Sequence, residues 1–246
     1  MTHTSTQTSH PLASGLTLRK ASARGHVDFG WLKSAHSFSF GEYYDPEFMQ
    51  FGALRVINDD YVAEGKGFPM HAHKDAEIFS YVLDGSLSHK DSLGNGSTVT
   101  AGGVQYMSAG TGVSHSEFNP STDTAVKFLQ IWLLPNVQGQ PPRYETLDIA
   151  ETAKDGRLKL FLSEDGREGS MAIKADANIY AATLKSGQVL HYDLPKGRKA
   201  WIQMARGELV VNKHTLKAGD GLSVEHGGRL EFSGGNAAEF ILFDLA

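Results

Sequence analysis

The chain has 246 residues, no cysteine and a formal net charge of -5 at pH 7. The absence of cysteine excludes disulfides, thiolate metal ligands and a cysteine nucleophile. The acidic balance, with no cluster of Lys and Arg, argues against a nucleic-acid surface, because phosphate binding depends on clustered positive charge.

The first residues, 1–14, are polar and contain neither the basic start nor the apolar core of a signal peptide. We predict that this segment is flexible. No apolar run approaches the roughly 20 residues that are needed to span a bilayer. The protein is therefore predicted to be cytoplasmic, with no membrane partner.

Short runs rich in Val, Ile, Tyr and Phe follow, separated by glycine-containing turns. Residues 54–57, 78–83 and 126–134 are examples. Helical periodicity is weak throughout, and the best candidate helix is 148–153. The pattern predicts an all-β fold.

Histidines are concentrated between residues 65 and 119. His71 and His73 are two residues apart, and so are His115 and Glu117. Because successive side chains of a β-strand point to opposite faces, each pair projects to one side of its strand. Two neighbouring strands can then bring three imidazoles and one carboxylate to one point, which is a coordination shell for a divalent first-row metal ion.

The sequence Gly94-Asn95-Gly96 lies between two short apolar runs. We interpret it as a hairpin turn, in which glycine supplies a positive φ. It is not a phosphate-binding loop, because no helix start follows it. No nucleotide-binding site is predicted.

An internal repeat indicates two barrels of one kind. Residues 98–110 (TVTAGGVQYMSAG) are similar to residues 215–227 (TLKAGDGLSVEHG), with the same spacing between glycines. We predict an N-terminal barrel over 15–140 and a C-terminal barrel over 141–246. The connection is placed near 135–143, where prolines and polar residues suit an exposed link.

The histidine motifs resemble those of the cupin superfamily and, more closely, those of the pirin family. The residues that match the two cupin motifs are Gly65, His71, His73, Glu77, Gly85, Gly112, His115 and Asn119. Residues 36–46 (HSFSFGEYYDP), 53–60 (ALRVINDD) and 108–117 (SAGTGVSHSE) are similar to bacterial pirin-like proteins. The resemblance covers the chain from residue 16 to its end. It implies a bicupin, with two tandem jelly-roll β-barrels.

The repeat predicts that only the N-terminal barrel has the metal site, as in pirins. Carried across by constant offsets, His71 maps to Asp193, His73 to Pro195, Glu77 to Lys199, His115 to Phe232 and Glu117 to Gly234. These residues do not form a set of metal ligands. The C-terminal barrel is therefore predicted to be degenerate.

The carboxylate ligand is open from parity alone, since both Glu77 and Glu117 are allowed. Many cupins use the position of Glu77, whereas the resemblance to pirins implies Glu117 as the ligand and Glu77 as a supporting residue. His36 and His89 are further candidates for supporting positions. An ordinary polar role near the barrel mouth is the competing interpretation for these two histidines.

The resemblance implies a metal-dependent dioxygenase of the quercetin 2,3-dioxygenase type. We expect one divalent transition-metal ion per chain, drawn from Fe, Ni, Mn, Co, Cu or Zn, whose identity the sequence does not determine. The expected partners are a flavonol-like aromatic substrate and dioxygen, and the chain is expected to be a monomer. Glu117 is expected to serve as both ligand and proton acceptor.

Two other functions remain open. Eukaryotic pirins bind transcription factors in a metal-dependent way, so a regulatory protein without robust catalysis is one alternative. A large exposed apolar or charged patch away from the pocket would favour it. A cupin metalloenzyme that acts on another small molecule is the other alternative, because one fold hosts many chemistries.

Overall fold

The computed structural model describes residues 11–246. Strands dominate the structure and form four sheets, two with seven strands and two with four. Each of the two barrels combines one large sheet with one small sheet, so the predicted all-β bicupin fold is confirmed. Within the described range, no helix has the length and apolar character that crossing a membrane requires.

The first half of the chain contains twelve strands and one 3₁₀ turn, Ala21–Ala23. The strands are β1 (Ser14–Arg19), β2 (Gly25–Asp28), β3 (Leu32–His36), β4 (Leu54–Val62), β5 (Gly67–His73), β6 (Glu77–Asp84), β7 (Ser86–Asp91), β8 (Gly96–Thr100), β9 (Gly103–Ser108), β10 (Val113–Phe118), β11 (Val126–Leu133) and β12 (Arg143–Asp148).

The second half begins with the helix α1 (Glu151–Lys154) and includes a 3₁₀ turn, Arg167–Gly169. Its strands are β13 (Lys159–Ser163), β14 (Met171–Ala172), β15 (Ala177–Leu184), β16 (Val189–Leu194), β17 (Lys199–Arg206), β18 (Glu208–Val211), β19 (His214–Lys217), β20 (Gly221–His226), β21 (Gly228–Gly234) and β22 (Ala238–Leu245).

The strand order repeats between the two barrels. The first barrel has the large sheet β12-β9-β6-β11-β4-β3-β2 and the small sheet β5-β10-β7-β8. The second has β1-β20-β17-β22-β15-β13-β14 and β16-β21-β18-β19. The order β9-β6-β11-β4 thus corresponds to β20-β17-β22-β15, as the sequence repeat predicts.

The sheets divide the chain differently from the predicted boundaries in two places. β1 pairs with β20 and belongs to the second barrel, although it precedes the first barrel in sequence. β12 pairs with β9, so the first barrel continues past residue 140 and the segment 134–142 is a loop within it. Both strands complete a sheet edge, and loop composition does not indicate which edge a distant strand covers.

The predicted flexible segment, residues 1–14, lies largely outside the described residues. Its last part is described and is hydrogen-bonded to the second barrel. The Arg229 N–H donates to the Pro11 carbonyl at 2.8 Å, and the Ala13 N–H donates to the Arg229 carbonyl at 3.0 Å. Order in this chain therefore begins before β1.

The two large sheets share one hydrophobic core that joins the barrels. Phe79 of β6 and Phe161 of β13 contact each other with ring centroids 5.7 Å apart, and Tyr81 lies 6.0 Å from the same Phe161 ring. Trp201 and Phe243 of the second barrel belong to the same buried cluster. The part of each outer face that carries these residues is therefore removed from water, which is the main source of stability for such an arrangement.

A buried ion pair secures the crossing between the barrels. The Lys154 ammonium lies 2.5 Å from Glu239 Oε1 and donates to the Tyr81 hydroxyl at 2.9 Å. Arg206 also contacts Glu239, at 3.2 Å, and donates to the Leu83 carbonyl at 2.8 Å. Helix α1 is held by this network against strands of both barrels.

We predict that Lys154→Met lowers the free energy of unfolding by about 3 kcal/mol, because Glu239 then keeps only Arg206 as a cationic partner in a buried site. Urea denaturation followed by circular dichroism measures the change. Lys185→Met is the control, since Lys185 pairs with Asp155 at the surface and such pairs contribute little. Equal stability of Lys154→Met and the native chain would contradict the structural role of the pair.

Candidate metal centre

The interior of the first barrel has apolar ends and a polar middle. On β6, Ile78 and Val82 lie in two separate hydrophobic clusters, and Ser80 lies between them. Ser80 pairs with Gln130 of β11 on one side and with Gln105 of β9 on the other. All three polar side chains are buried.

This polar row continues across the sheet. Gln130 pairs with Asn58 of β4, and Asn58 pairs with His36 of β3. Five adjacent strands therefore place a polar side chain at the same level of the barrel interior. We call Gln105, Ser80, Gln130, Asn58 and His36 the polar row.

The predicted histidine ligands lie on the opposite, four-stranded sheet. His71 of β5 is directly opposite His115 of β10, and His73 is two residues further along β5. One ring nitrogen from each of the three lies within 4.8 Å of the other two. The ring centroids are 4.5 to 5.0 Å apart. The structure thus brings together His71, His73 and His115, as the sequence predicts.

The ring contacts leave nitrogens available to a metal ion. His71 Nδ1 lies 2.7 Å from the Pro69 carbonyl oxygen, a contact that places the proton on Nδ1 and leaves Nε2 as the free donor atom. His115 Nε2 is buried and has no hydrogen-bond partner among residues 11–246. A buried nitrogen without a partner is rare in proteins. The three imidazoles therefore fit a metal ion that this nitrogen would bind.

Burial keeps the imidazoles of His73 and His115 neutral, which is the form that binds a metal. It lowers the pKa of His73 to about 4, with a further contribution from His71. It lowers the pKa of His115 to about 3, and the neighbouring imidazoles add to the shift. Protons therefore do not compete for these two nitrogens at neutral pH.

A β-bulge separates the histidines from Glu117. His115 pairs with His71, but Glu117 pairs with Phe68, so β5 has one extra residue in this interval. Pro69 lies in the bulge, where the missing N–H of proline costs no ladder bond. Its carbonyl is the group that orients His71.

Glu117 lies next to the histidines and is held by the polar row. Its Oε1 accepts a hydrogen bond from Gln105 at 2.5 Å, and its Oε2 accepts one from Gln130 at 2.8 Å. The Ser80 hydroxyl is 3.2 Å from Oε1. Burial raises the pKa of Glu117, and these donors offset part of the shift. The 4.8 Å group contains the imidazoles and not this carboxylate, so its role as fourth ligand stays a prediction.

His89 lies in contact with a ligand. Its Nδ1 is 3.3 Å from Nδ1 of His115, and its Nε2 is 3.5 Å from Asp91 Oδ2. The ring stacks on Tyr144 with centroids 4.0 Å apart and an interplanar angle of 8°. If His115 carries its proton on Nδ1 and donates it to His89, the free nitrogen of His115 faces the other imidazoles.

Glu77 lies on the opposite face of β6, with Phe79. Its carboxylate accepts hydrogen bonds from the hydroxyls of Tyr106 and Ser108, the latter at 2.6 Å, and from the Lys174 N–H at 3.0 Å. Lys174 lies between β14 and β15 of the second barrel. The structure therefore places Glu77 in the contact between the barrels and not beside the ligands.

His36 lies at the far end of the polar row. Its ring contacts Phe40 at 5.3 Å between centroids, and Phe40 contacts Trp132 at 5.5 Å. Trp132 in turn contacts His73 at 4.8 Å. Two aromatic rings thus separate His36 from the nearest ligand.

Sequence reasoning missed the polar row, although the repeat contains a signal for it. At the equivalent level of the second barrel, Ile202 pairs with Leu242 and with Leu222, and all three are fully buried. In the first barrel, Ser80 and Gln130 interrupt apolar runs at inward-facing positions. The paired inward positions of the second barrel are apolar. A comparison of inward positions between the halves would have identified the row.

The second barrel has no comparable centre. Asp193, the position that corresponds to His71, forms an ion pair with Arg229 at 2.9 Å. Phe232 is packed in a hydrophobic cluster. In the described part of the chain, His71, His73 and His115 are the one group of side chains with metal-binding geometry.

Family comparisons match both barrels. The model of the Pirin family matches residues 17–133, and the model described as the quercetinase C-terminal cupin domain matches residues 160–245. Over 229 residues the chain is 45% identical to quercetin 2,3-dioxygenase of Escherichia coli (strain K12), covering 93% of this chain and 97% of that protein.

Two solved structures are similar over nearly the whole chain. The crystal structure of YhhW from Escherichia coli has a TM-score of 0.91 and 42% identity, and covers 94% of this chain and 97% of that one. The bacterial pirin YhhW in complex with nickel(II) has a TM-score of 0.89 and 43% identity, with coverage of 94% and 98%. A relative with this fold therefore binds a divalent metal ion.

We predict that His71→Ala abolishes metal binding and leaves the barrels folded, because the hydrophobic clusters do not depend on an ion. Elemental analysis measures the metal, and far-ultraviolet circular dichroism measures the strands. His191→Ala, in the second barrel, is the control and should retain metal. Loss of the strand signal in His71→Ala would mean that the metal is structural.

We further predict that His89→Leu weakens metal affinity about 10- to 100-fold, because it removes the group that orients His115. Competition with a chelator measures the affinity. Tyr144→Phe keeps the ring that stacks on His89 and should bind metal as the native chain does. An unchanged affinity in His89→Leu would show that its contact with His115 does not position the ligand.

Proposed function

The chain is a member of the pirin family, and we propose that it is a dioxygenase whose substrate is a flavonol or a similar aromatic hydroxyl compound. The proposal is that one divalent metal ion holds this compound while dioxygen opens its ring. The observation that carries it is the cluster of three histidines beside a buried carboxylate. Among the described residues, these histidines are the only group of side chains with metal-binding geometry.

The cluster is accessible from one side. His71 and His73 are partly exposed, whereas His115 is 1% exposed. A ligand can therefore approach past the β5 histidines, and the polar row closes the other side. This asymmetry suits a small-molecule site, in which a few polar groups lie at the base of a cleft.

His71, His73 and His115 would hold the metal ion, with Glu117 as the proposed fourth ligand. Such an ion acts as a Lewis acid that lowers the pKa of a substrate hydroxyl and orients it. The ligand set of imidazoles and one carboxylate suits several first-row ions, including Fe and Ni. The metal that the native chain uses is not specified by these residues.

Glu117 is placed to accept a proton from that hydroxyl. Burial raises its pKa, which makes it a stronger base than an exposed carboxylate. Gln105 and Gln130 each donate to a different carboxylate oxygen. Oε2 accepts a hydrogen bond from Gln130 alone, so its second lone pair can accept a proton while both amides keep Glu117 in place.

We predict that Glu117→Gln lowers flavonol turnover about 10²- to 10⁴-fold at matched metal content, because the amide has lost the basicity. Oxygen consumption with a panel of flavonols measures turnover. Glu77→Gln is the matched control. Glu77 lies on the face of β6 that points away from the histidines, so the same substitution there should leave turnover unchanged. A native rate in Glu117→Gln would limit this residue to a structural or ligand role.

The same assay separates the reaction from the alternatives. Ring opening of a flavonol, with oxygen uptake that requires metal, is the expected result. If metal-loaded native protein consumes no oxygen with any flavonol, the proposed substrate class is wrong. A regulatory role, or a reaction on another small molecule, would then be the better interpretation.

A further inference from the structure

A cavity in the first barrel lies outside the histidine cluster. Its volume is about 230 Å³, and strands β3 and β4 form one of its walls. Its apolar lining consists of Val27, Phe29, Leu32, Phe40 and Phe68. Its polar lining includes His36, Asn58 and Asp60, which are all at least nine-tenths buried.

The polar wall has hydrogen-bonding atoms that no protein group satisfies. His36 Nδ1, Asn58 Oδ1 and Asp60 Oδ1 are buried and have no partner in the range 11–246. Asp60 also forms no ion pair with a cation of that range. Native proteins leave few buried polar atoms unpaired, and three on one wall of a cavity are available to a molecule that binds there.

The chemistry of the wall favours a ligand with hydroxyl groups. Amide oxygens and an ionised carboxylate accept hydrogen bonds, and a protonated carboxyl also donates one, so a hydroxyl group, which does both, suits this wall. Burial raises the pKa of Asp60 to about 7, so the wall is not strongly anionic at neutral pH and has no requirement for a cation. The aromatic and aliphatic lining fits the faces of a planar ring.

The cavity is adjacent to the metal centre. Phe68, which lines it, is the residue that pairs with Glu117 across β5 and β10. Phe40 also lines it and contacts Trp132, which contacts His73. Its volume is below the roughly 300–1,000 Å³ of complete ligand pockets. It therefore suits one ring of a molecule whose other part lies at the histidines.

We propose that this cavity is a recognition subsite for a hydroxylated aromatic ring, in which Asn58 and Asp60 accept hydrogen bonds from a phenolic hydroxyl. His36 completes the wall. The inference rests on the proposed function, because the ring is taken to be the part of the flavonol that lies away from the metal. The subsite would make these residues determinants of specificity rather than of the chemical step.

Binding of two flavonols tests the subsite. One has no hydroxyl on its pendant ring and the other has a single hydroxyl there. Neither pendant ring can chelate the metal, because chelation requires two adjacent hydroxyls. Calorimetry with metal-loaded protein, without oxygen, measures affinity in the absence of turnover. The native chain should bind the hydroxylated compound about three- to tenfold more tightly, as expected for a neutral hydrogen bond to a buried acceptor.

Asn58→Leu and Asp60→Leu remove the acceptors. In each variant the affinity ratio should fall toward one, while metal content and affinity for the unsubstituted flavonol stay the same. The melting temperature of Asn58→Leu should not fall, because an unpaired buried polar atom has been replaced by an apolar group, whereas Asp60→Leu also removes a hydrogen-bond partner of Ser34. Asp59→Leu is the matched control, since Asp59 pairs with Arg24 and Lys127 outside this cavity, and it should keep the native ratio.

The outcomes of the two proposals are distinct. An affinity ratio near one in the native chain, an unchanged ratio in both cavity variants, or no flavonol binding at all would overturn the subsite. If the ratio behaves as expected but no flavonol is ever oxidised, the subsite stands and the proposed reaction fails. If flavonols are oxidised without regard to the pendant hydroxyl, the reaction stands and the subsite fails.

Discussion

The packing of the two large sheets against each other is the constraint on which the rest of the first barrel depends. Phe79 and Tyr81 of β6, with Trp201 and Phe243 of the second barrel, place a substantial hydrophobic core between the barrels. The interior of the first barrel then does not have to supply all of the stability. A row of buried polar residues, each of which would weaken an isolated barrel, is tolerated there.

The site is organised so that each functional group has a partner that fixes its orientation. The Pro69 carbonyl orients His71, His89 contacts His115, and the amides of Gln105 and Gln130 hold Glu117. Metal sites depend on such neighbours for geometry as much as on the ligands themselves. Gln105, Gln130 and the bulge in β5 are thus parts of the centre, although they contribute no metal ligand.

The sequence predicts the two barrels and the three histidines, because a period of two and a repeat are local signals. It does not predict the side on which Glu77 lies. Parity relates Glu77 to Phe79 but does not say that this face of β6 meets the second barrel. The sequence also does not predict that Asn58 and Asp60 lie inside the barrel. Asparagine and aspartate are typical of turns, yet here they lie in the middle of a strand and point into a cavity.

The pairing of β1 with β20 of the second barrel has a consequence for the order of folding. β1 leaves the ribosome before the strands of the first barrel, and its partner β20 (Gly221–His226) leaves after them. The Ala21 N–H, just after β1, also donates to Asp220 Oδ1 at 2.7 Å. The first barrel can therefore form while β1 is still unpaired, and the second barrel closes only after β20 has been made. Such long-range pairing slows folding, and it makes β1 a structural component of a domain that is otherwise made after the first barrel.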